Sequence, residues 1–248
     1  MDRGKQMNDE KLHVLMPVYN GAKTIIRAID SVFEQKNIDF SYRLCIVLNT
    51  CTDNTEELIR SSKWIDRIDI LKCATKGIVP ALNMGLYYCI SQGATLIARQ
   101  DADDCWHPKK LFAQFEYLEA NPSVDICGTS LRYVKPDTHE STHEMTYPTE
   151  HEQCVAWLSK SQNPIAHPSV IFRSRILERC GGYDNSLPLA EDMSLWFRAV
   201  INGYRLGNVQ YPLVDYTFVP NPRYNPAAPQ LLAFIGTNIL KHFGVHEI

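Results

Sequence analysis

Asp101, Asp103 and Asp104 place three carboxylates within four residues, directly after the apolar run Ala94-Thr95-Leu96-Ile97-Ala98. Two like charges about 4 Å apart repel by roughly 4 kcal/mol at an effective dielectric near 20. A folded chain tolerates such a cluster as a solvated acidic turn or uses it to hold a cation. Mg²⁺ and Mn²⁺ suit the second role, because they accept one or two protein carboxylates and leave their other positions to water and phosphate oxygens. Arg99 adds a cation two residues before Asp101. A second acidic pair, Glu191-Asp192, opens a helical pattern, where the helix dipole favours ionised carboxylates. Ordinary helix N-terminal acidity is the alternative reading of that pair.

The elements that must position these groups follow from hydrophobic periodicity. Residues 12–18 form an apolar run closed by Asn20-Gly21, and 22–35 carry helical spacing. The pattern repeats with a strand at 44–48 and a helix at 53–62, a strand at 68–73 and a helix at 79–92, then a strand at 95–98. Repeated strand-helix units predict an α/β fold with a mainly parallel sheet flanked by helices. Asp53 with Glu56 three residues on reads as a capping box. Ligands gather at the carboxyl ends of parallel strands, and Tyr19-Asn20, Asn49-Thr50, Thr75-Lys76 and the Asp101 cluster all fall there. Further on, the pattern predicts helices at 108–119, 150–159 and 191–201 and a strand at 124–133. Residues 135–147 read as an exposed polar loop, which also makes His139 and His143 a poor metal pair. The stretch 212–229 is proline-rich and reads as extended, and 231–243 resumes a helical pattern.

Composition narrows the class. The 248 residues are 45% hydrophobic, and 25 Lys and Arg against 28 Asp and Glu give a formal charge of −3. Without a basic run, a nucleic-acid partner is not expected. The polar start and the absence of a membrane-length apolar stretch predict a cytoplasmic protein. The eight cysteines are scattered without CxxC spacing and read as reduced, buried thiols. No GxGxxG follows the first strand, against a dehydrogenase. No glycine-rich basic loop is present there either, against a nucleotidyltransferase.

In order along the chain stand Val14-Leu15-Met16-Pro17-Val18-Tyr19-Asn20, Thr52-Asp53-Asn54-Thr55, Gly77 to Gly85 with Pro80-Ala81-Leu82-Asn83, Arg99-Gln100-Asp101-Ala102-Asp103-Asp104, Gly181-Gly182-Tyr183-Asp184, and Glu191-Asp192 with Trp196. Over about residues 12–218 this series resembles the family 2 glycosyltransferases of the GT-A fold, which transfer sugars with inversion from nucleotide diphosphates. The resemblance implies one GT-A domain over 1–248: a nucleotide-binding half at about 12–100, a metal and acceptor half at about 101–218, and a proline-rich tail with a C-terminal helix at about 219–248. It implies that Pro17, Val18, Tyr19, Asn20, Asn49, Asp53, Lys76, Asn83, Arg99 and Asp101 bind the nucleotide. Asp53 reads equally as a helix cap. Asp101-Ala102-Asp103 stands as the DXD motif, with Asp103 holding Mn²⁺ or Mg²⁺. Asp192 is the implied catalytic base, with Glu191 as its competitor.

Asp104, Trp106 and His167 are implied at the acceptor or sugar pocket, although a structural hydrogen bond is an equal reading of His167. Many members carry two acidic residues after the second strand, where this chain has Leu48-Asn49. UDP-sugar is the implied donor, and a glycan or lipid-linked hydroxyl the acceptor, in polysaccharide biosynthesis. The C-terminal helix is expected as a packed cover or homodimer face, with a peripheral membrane contact as the alternative. A sugar-nucleotide-binding scaffold without turnover is the alternative.

Overall fold

The computed structural model describes residues 11–187 and 190–218. β1 (Leu12–Val18) is buried along its whole length. It pairs in parallel with β2 (Arg43–Asn49) on one side and β4 (Leu96–Arg99) on the other, with β3 (Ile68–Cys73) parallel beyond β2. β1, β2 and β4, covered on both faces, read as continuous apolar runs; β3, at the sheet edge, is only partly buried.

Three helices connect the parallel strands: α1 (Ile25–Phe33), α2 (Thr55–Arg60) and α3 (Ile78–Ser91). The second half adds β5 (Cys105–Trp106), α4 (Lys110–Ala120), β6 (Val124–Val134), β7 (Ser141–Met145), α5 (His151–Ser159), β8 (Ile171–Arg173), α6 (Leu177–Cys180), α7 (Glu191–Ile201) and β9 (Arg205–Thr217). The sheet runs β3-β2-β1-β4-β8-β6-β9-β5, with β7 on β6. Most of its paired length is parallel, because β6 and β9 also run together over ten register positions. β5, β7 and β8 are antiparallel to their neighbours.

The sheet divides the core into two layers. Ile25, Ile29, Leu111 and Phe115 from α1 and α4 fill one face with Val14 and Met16 of β1. Leu82, Leu86, Leu158, Leu195 and Trp196 from α3, α5 and α7 fill the other with Leu15. The eight cysteines are free thiols, six of them buried.

Four sequence expectations change. The first helix starts at Ile25, because the Gly21 carbonyl accepts the N–H groups of Thr24 and Ile25 in a turn. Glu56 does not close a capping box; its carboxylate pairs with Arg60 and Lys72. The expected loop at 135–147 contains β7, a polar strand held by the end of β6. β9 was hidden because Pro212 and the polar Asn208 and Gln210 break any alternation; the register slips between Thr129 and Ser130 of β6, opposite Val209 and Pro212, and the irregularity accommodates the proline. The tail and helix expected at 219–248 lie outside the described residues. Among the described residues, no helix is long and apolar enough to cross a membrane.

Candidate active site

The carboxyl ends of β1, β2 and β4 open into a cleft of about 670 Å³. Pro17, Val18, Tyr19, Asn20, Asn49, Lys76, Asp101 and Asp103 line it, together with Gly21, Thr24, Gly77, Ile78, Ala81 and Ala102. Strand order reverses between β2-β1 and β1-β4, and such switch points are where parallel sheets form crevices for ligands. Asn20 and Thr50 adopt left-handed backbone angles there, φ 51° and 55°. For a β-branched residue like Thr50 this conformation is an outlier, and such strain clusters at binding sites.

Side chains tie the cleft loops together. Asn20 accepts the Thr52 N–H at 2.8 Å and donates to the Thr52 hydroxyl at 3.2 Å. Asp53 accepts the Thr55 hydroxyl at 2.5 Å and the Ala22 N–H at 3.1 Å. The Thr55 hydrogen bond, followed by the backbone ones, holds its carboxyl below the ordinary range. Asp53 therefore joins the loops after β1 and β2 instead of lining the cleft. Asn49 donates to the Thr75 carbonyl at 2.7 Å and accepts the Gly77 N–H at 2.9 Å, which fixes the segment carrying Lys76. Lys76 is exposed to the cleft and makes no ion pair among the described residues.

Arg99 is buried at the end of β4 and ion-paired to Asp101. Burial opposes its charge, but the Asp101 carboxylate outweighs that and keeps the guanidinium protonated. Asp103 stands exposed at the cleft; desolvation by the surrounding protein, then Asp101, push its carboxyl up to about 6. Its main-chain oxygen accepts Arg27 at 2.8 Å and the Thr217 hydroxyl at 2.5 Å. Asp104 is fully buried, accepts the Thr217 N–H at 2.8 Å, and is raised by burial and by its two acidic neighbours. It anchors the end of β9.

Carboxylate oxygens of Asp101, Asp103 and Asp104 lie within 4.8 Å of one another. Asp101 is engaged by Arg99 and Asp104 by Thr217, so Asp103 is the carboxylate that faces outward, a donor set that fits a hard divalent cation taking most of its ligands from phosphate and water.

Behind Arg99 lies a second polar group. His167 shares a 3.0 Å hydrogen bond with the Tyr183 hydroxyl, and its other ring nitrogen is 3.8 Å from Glu191. Burial, reinforced by Arg99, keeps His167 neutral. Asp192, at the start of α7, accepts the Asn163 amide at 2.6 Å and the Met193 N–H at 2.7 Å. Burial raises its carboxyl, and those two hydrogen bonds and Arg99 pull the other way.

Two further expected site residues, like Asp53 and Asp104, serve elsewhere. Asn83 accepts the Tyr183 N–H and donates to its carbonyl, both at 2.8 Å, so it clamps the 181–184 turn and does not line the cleft. Trp106 is buried, with the Lys110 ammonium 3.8 Å from its ring and its N–H donated to the Pro168 carbonyl at 3.3 Å. It supports the turn that carries His167. Sequence reasoning missed Thr217, Arg27 and Asn163; nothing local marks them.

The cleft at the switch point, the acidic cluster at its mouth and the carboxylate pair on α7 form the candidate active site. Residues 13–181 match Glycosyl transferase family 2, and the chain belongs to that family. It is 26% identical over 218 residues to the UDP-Gal:alpha-D-GlcNAc-diphosphoundecaprenol beta-1,3-galactosyltransferase of Escherichia coli, covering 86% of this chain and 76% of that one. It is also 26% identical to the bifunctional glycosyltransferase pgtA of Dictyostelium discoideum, over 77% of this chain but only 29% of that protein. The fold matches S. aureus TarS 1-349 in complex with UDP-GlcNAc with a TM-score of 0.71 at 17% identity, covering 96% of this chain and 68% of that one. Against the mannosyltransferase PcManGT from Pyrobaculum calidifontis, in complex with GDP-Man and Mn2+, the TM-score is 0.62 at 20% identity, covering 94% and 63%.

Proposed function

We propose that this glycosyltransferase transfers a hexosyl or N-acetylhexosaminyl group with inversion, from a UDP-sugar to a glycan or lipid-linked hydroxyl presented on the cytoplasmic side of a membrane. One observation carries the reading: the cleft at the carboxyl ends of β1, β2 and β4 is lined by Lys76, Asp101 and Asp103, with Arg99 ion-paired to Asp101, a set of groups suited to a metal-bound diphosphate. The GT-A relatives whose ligands are UDP-sugars or UDP-GlcNAc favour uridine. The half at about 12–100 then binds the nucleotide and the half at about 101–218 meets the acceptor.

Tyr19 and Pro17 supply the walls for base and ribose, and the second lone pair of the Asn49 oxygen remains for a base N–H. Lys76 meets the diphosphate. Mn²⁺ or Mg²⁺ held by Asp103 would supply Lewis-acid stabilisation of the charge developing on the leaving diphosphate. Asp192 takes the proton of the attacking hydroxyl, kept in place by Asn163 and the Met193 N–H. Glu191 turns to His167 instead.

The test is calorimetric binding of UDP, GDP, CDP and dTDP, each with Mn²⁺ and with EDTA. UDP should bind in Mn²⁺ and weaken in EDTA, and Asp103→Asn should abolish the difference. Selective binding of GDP would reassign the donor base, and no nucleotide binding would favour a scaffold. Asp192→Asn should retain UDP affinity and lose transfer by about 10² or more; full transfer would move the base elsewhere.

A further inference from the structure

Three tyrosine hydroxyls make no hydrogen bond among the described residues: those of Tyr133, Tyr147 and Tyr216, all half-buried on the core layer of α1 and α4. β6 sets Tyr133 opposite His143 of β7 and Tyr216 of β9, with ring centroids at 4.3 and 5.1 Å. Two residues along β6, Leu131 pairs Met145 and Val214 on the same face. Tyr147 follows Met145 by two and packs on the same core layer. Its phenol lies within electrostatic reach of Tyr133, Tyr216 and Asp192.

The other edge of Tyr147 opens into a separate cavity of about 420 Å³, walled by Trp157 and rimmed by Thr146, Gln153 and Lys160. The hollow is shallow and open to solvent on its outer side. The Tyr147 and Trp157 rings stand 6.1 Å apart, tilted by 50°, so both present aromatic surface to the cavity. Gln153, Trp157 and Lys160 come from α5 and its cap, and the chain reaches Asn163 three residues later, whose amide holds Asp192. The cavity is thereby built onto the segment that positions the proposed base.

A pyranose has one face of C–H groups and a rim of hydroxyls. The electron-rich ring faces of Trp and Tyr attract the C–H face. The amide, hydroxyl and ammonium of Gln153, Thr146 and Lys160 offer donors and acceptors for the hydroxyls.

We propose that the cavity between Tyr147 and Trp157 is an acceptor subsite that binds a pyranose ring of a glycan acceptor. The inference rests on the transferase reading above and names the chemical class of its acceptor.

The probes are the methyl glycosides of glucose, galactose and N-acetylglucosamine, observed by saturation-transfer NMR with wild-type protein, UDP and Mn²⁺. At least one glycoside should receive saturation on its ring protons. Trp157→Ala should weaken its binding by about tenfold, with a smaller loss in Tyr147→Phe. Gln153→Ala, on an exposed position of α5, should weaken it as well without a packing change. UDP affinity should stay the same in all three variants. If wild type binds UDP yet no glycoside is saturated, or saturation is equal in wild type, Trp157→Ala and Gln153→Ala, the subsite is overturned. Failure of wild type to bind any nucleotide overturns the transferase reading instead.

Discussion

Asn49 illustrates how a polar residue at a cleft divides its hydrogen bonds between ligand and scaffold. Its N–H goes to the Thr75 carbonyl and its oxygen receives the Gly77 N–H, so the amide spans the loop that carries Lys76. A carboxylate at this position would accept from Gly77 but could not donate to Thr75. Asn49→Asp should therefore loosen the loop and lower stability by about 0.5–1.5 kcal/mol, the net worth of one hydrogen bond, because the Thr75 carbonyl lies on an exposed residue that water can reach. Urea denaturation measures this. UDP affinity should fall in the same variant, whereas unchanged stability with tighter UDP binding would show that the loop does not depend on the amide. Asp53 and Asn83 teach the same lesson. Their residue types suit a nucleotide, yet the first joins Ala22 to Thr55 and the second clamps Tyr183.

Among the elements, α3 is the one pressed most closely on the sheet behind the cleft. A Cβ on Gly85 would stand 2.2 Å from Leu15 Cδ1 and 2.8 Å from Val47 Cγ2. Gly85→Ala gains helix propensity, worth about 1 kcal/mol, but overpacks a buried contact, which costs about 1–3 kcal/mol. The second effect dominates because Leu15 is itself fully enclosed. The variant should melt at lower temperature, by calorimetry or circular dichroism, and an unchanged or higher melting temperature would mean that α3 can move off the sheet. The strand-helix units up to β4 were legible because β1, β2 and β4 are almost wholly buried apolar runs and β3 mixes apolar and polar residues, with helical spacing after the first three. β7 and β9 were not. Their burial is uneven, β7 being largely exposed and β9 broken by a register shift, and both are held by pairing with β6.

Across the described residues, titratable groups with shifted protonation act on stability with opposing signs. His13 is buried in β1 with neither ring nitrogen hydrogen-bonded. Desolvation lowers its pKa below 6.5, so the unfolded chain binds a proton that the folded one refuses. Stability from this group is full above pH 6.5 and is lost as pH falls toward the depressed folded value. His151 and His167 act in the same direction. Asp103 and Asp104 are raised and act in the other, because the folded state keeps their protons where the unfolded state has released them. The wild-type profile is the sum, so the difference between two proteins is the informative quantity. His13→Leu should gain stability over wild type as pH falls from about 7 to 5. Urea midpoints at several pH values check this, and parallel curves would show that His13 does not titrate on unfolding.

The sequence by itself determined the series of strands and helices to β4, the acidic cluster, the order of the family motifs and the strand ends where a ligand gathers. These are local properties, set by side-chain period and by neighbours a few residues away. Only the tertiary structure decided which polar groups face the cleft and which hold it together. Asp104 is committed to Thr217, 113 positions away, Asn83 to Tyr183, 100 away, and Asp192 to Asn163, 29 away. A hydrogen-bond partner is chosen by the packing of remote segments, and a buried polar group must take whichever partner that packing brings.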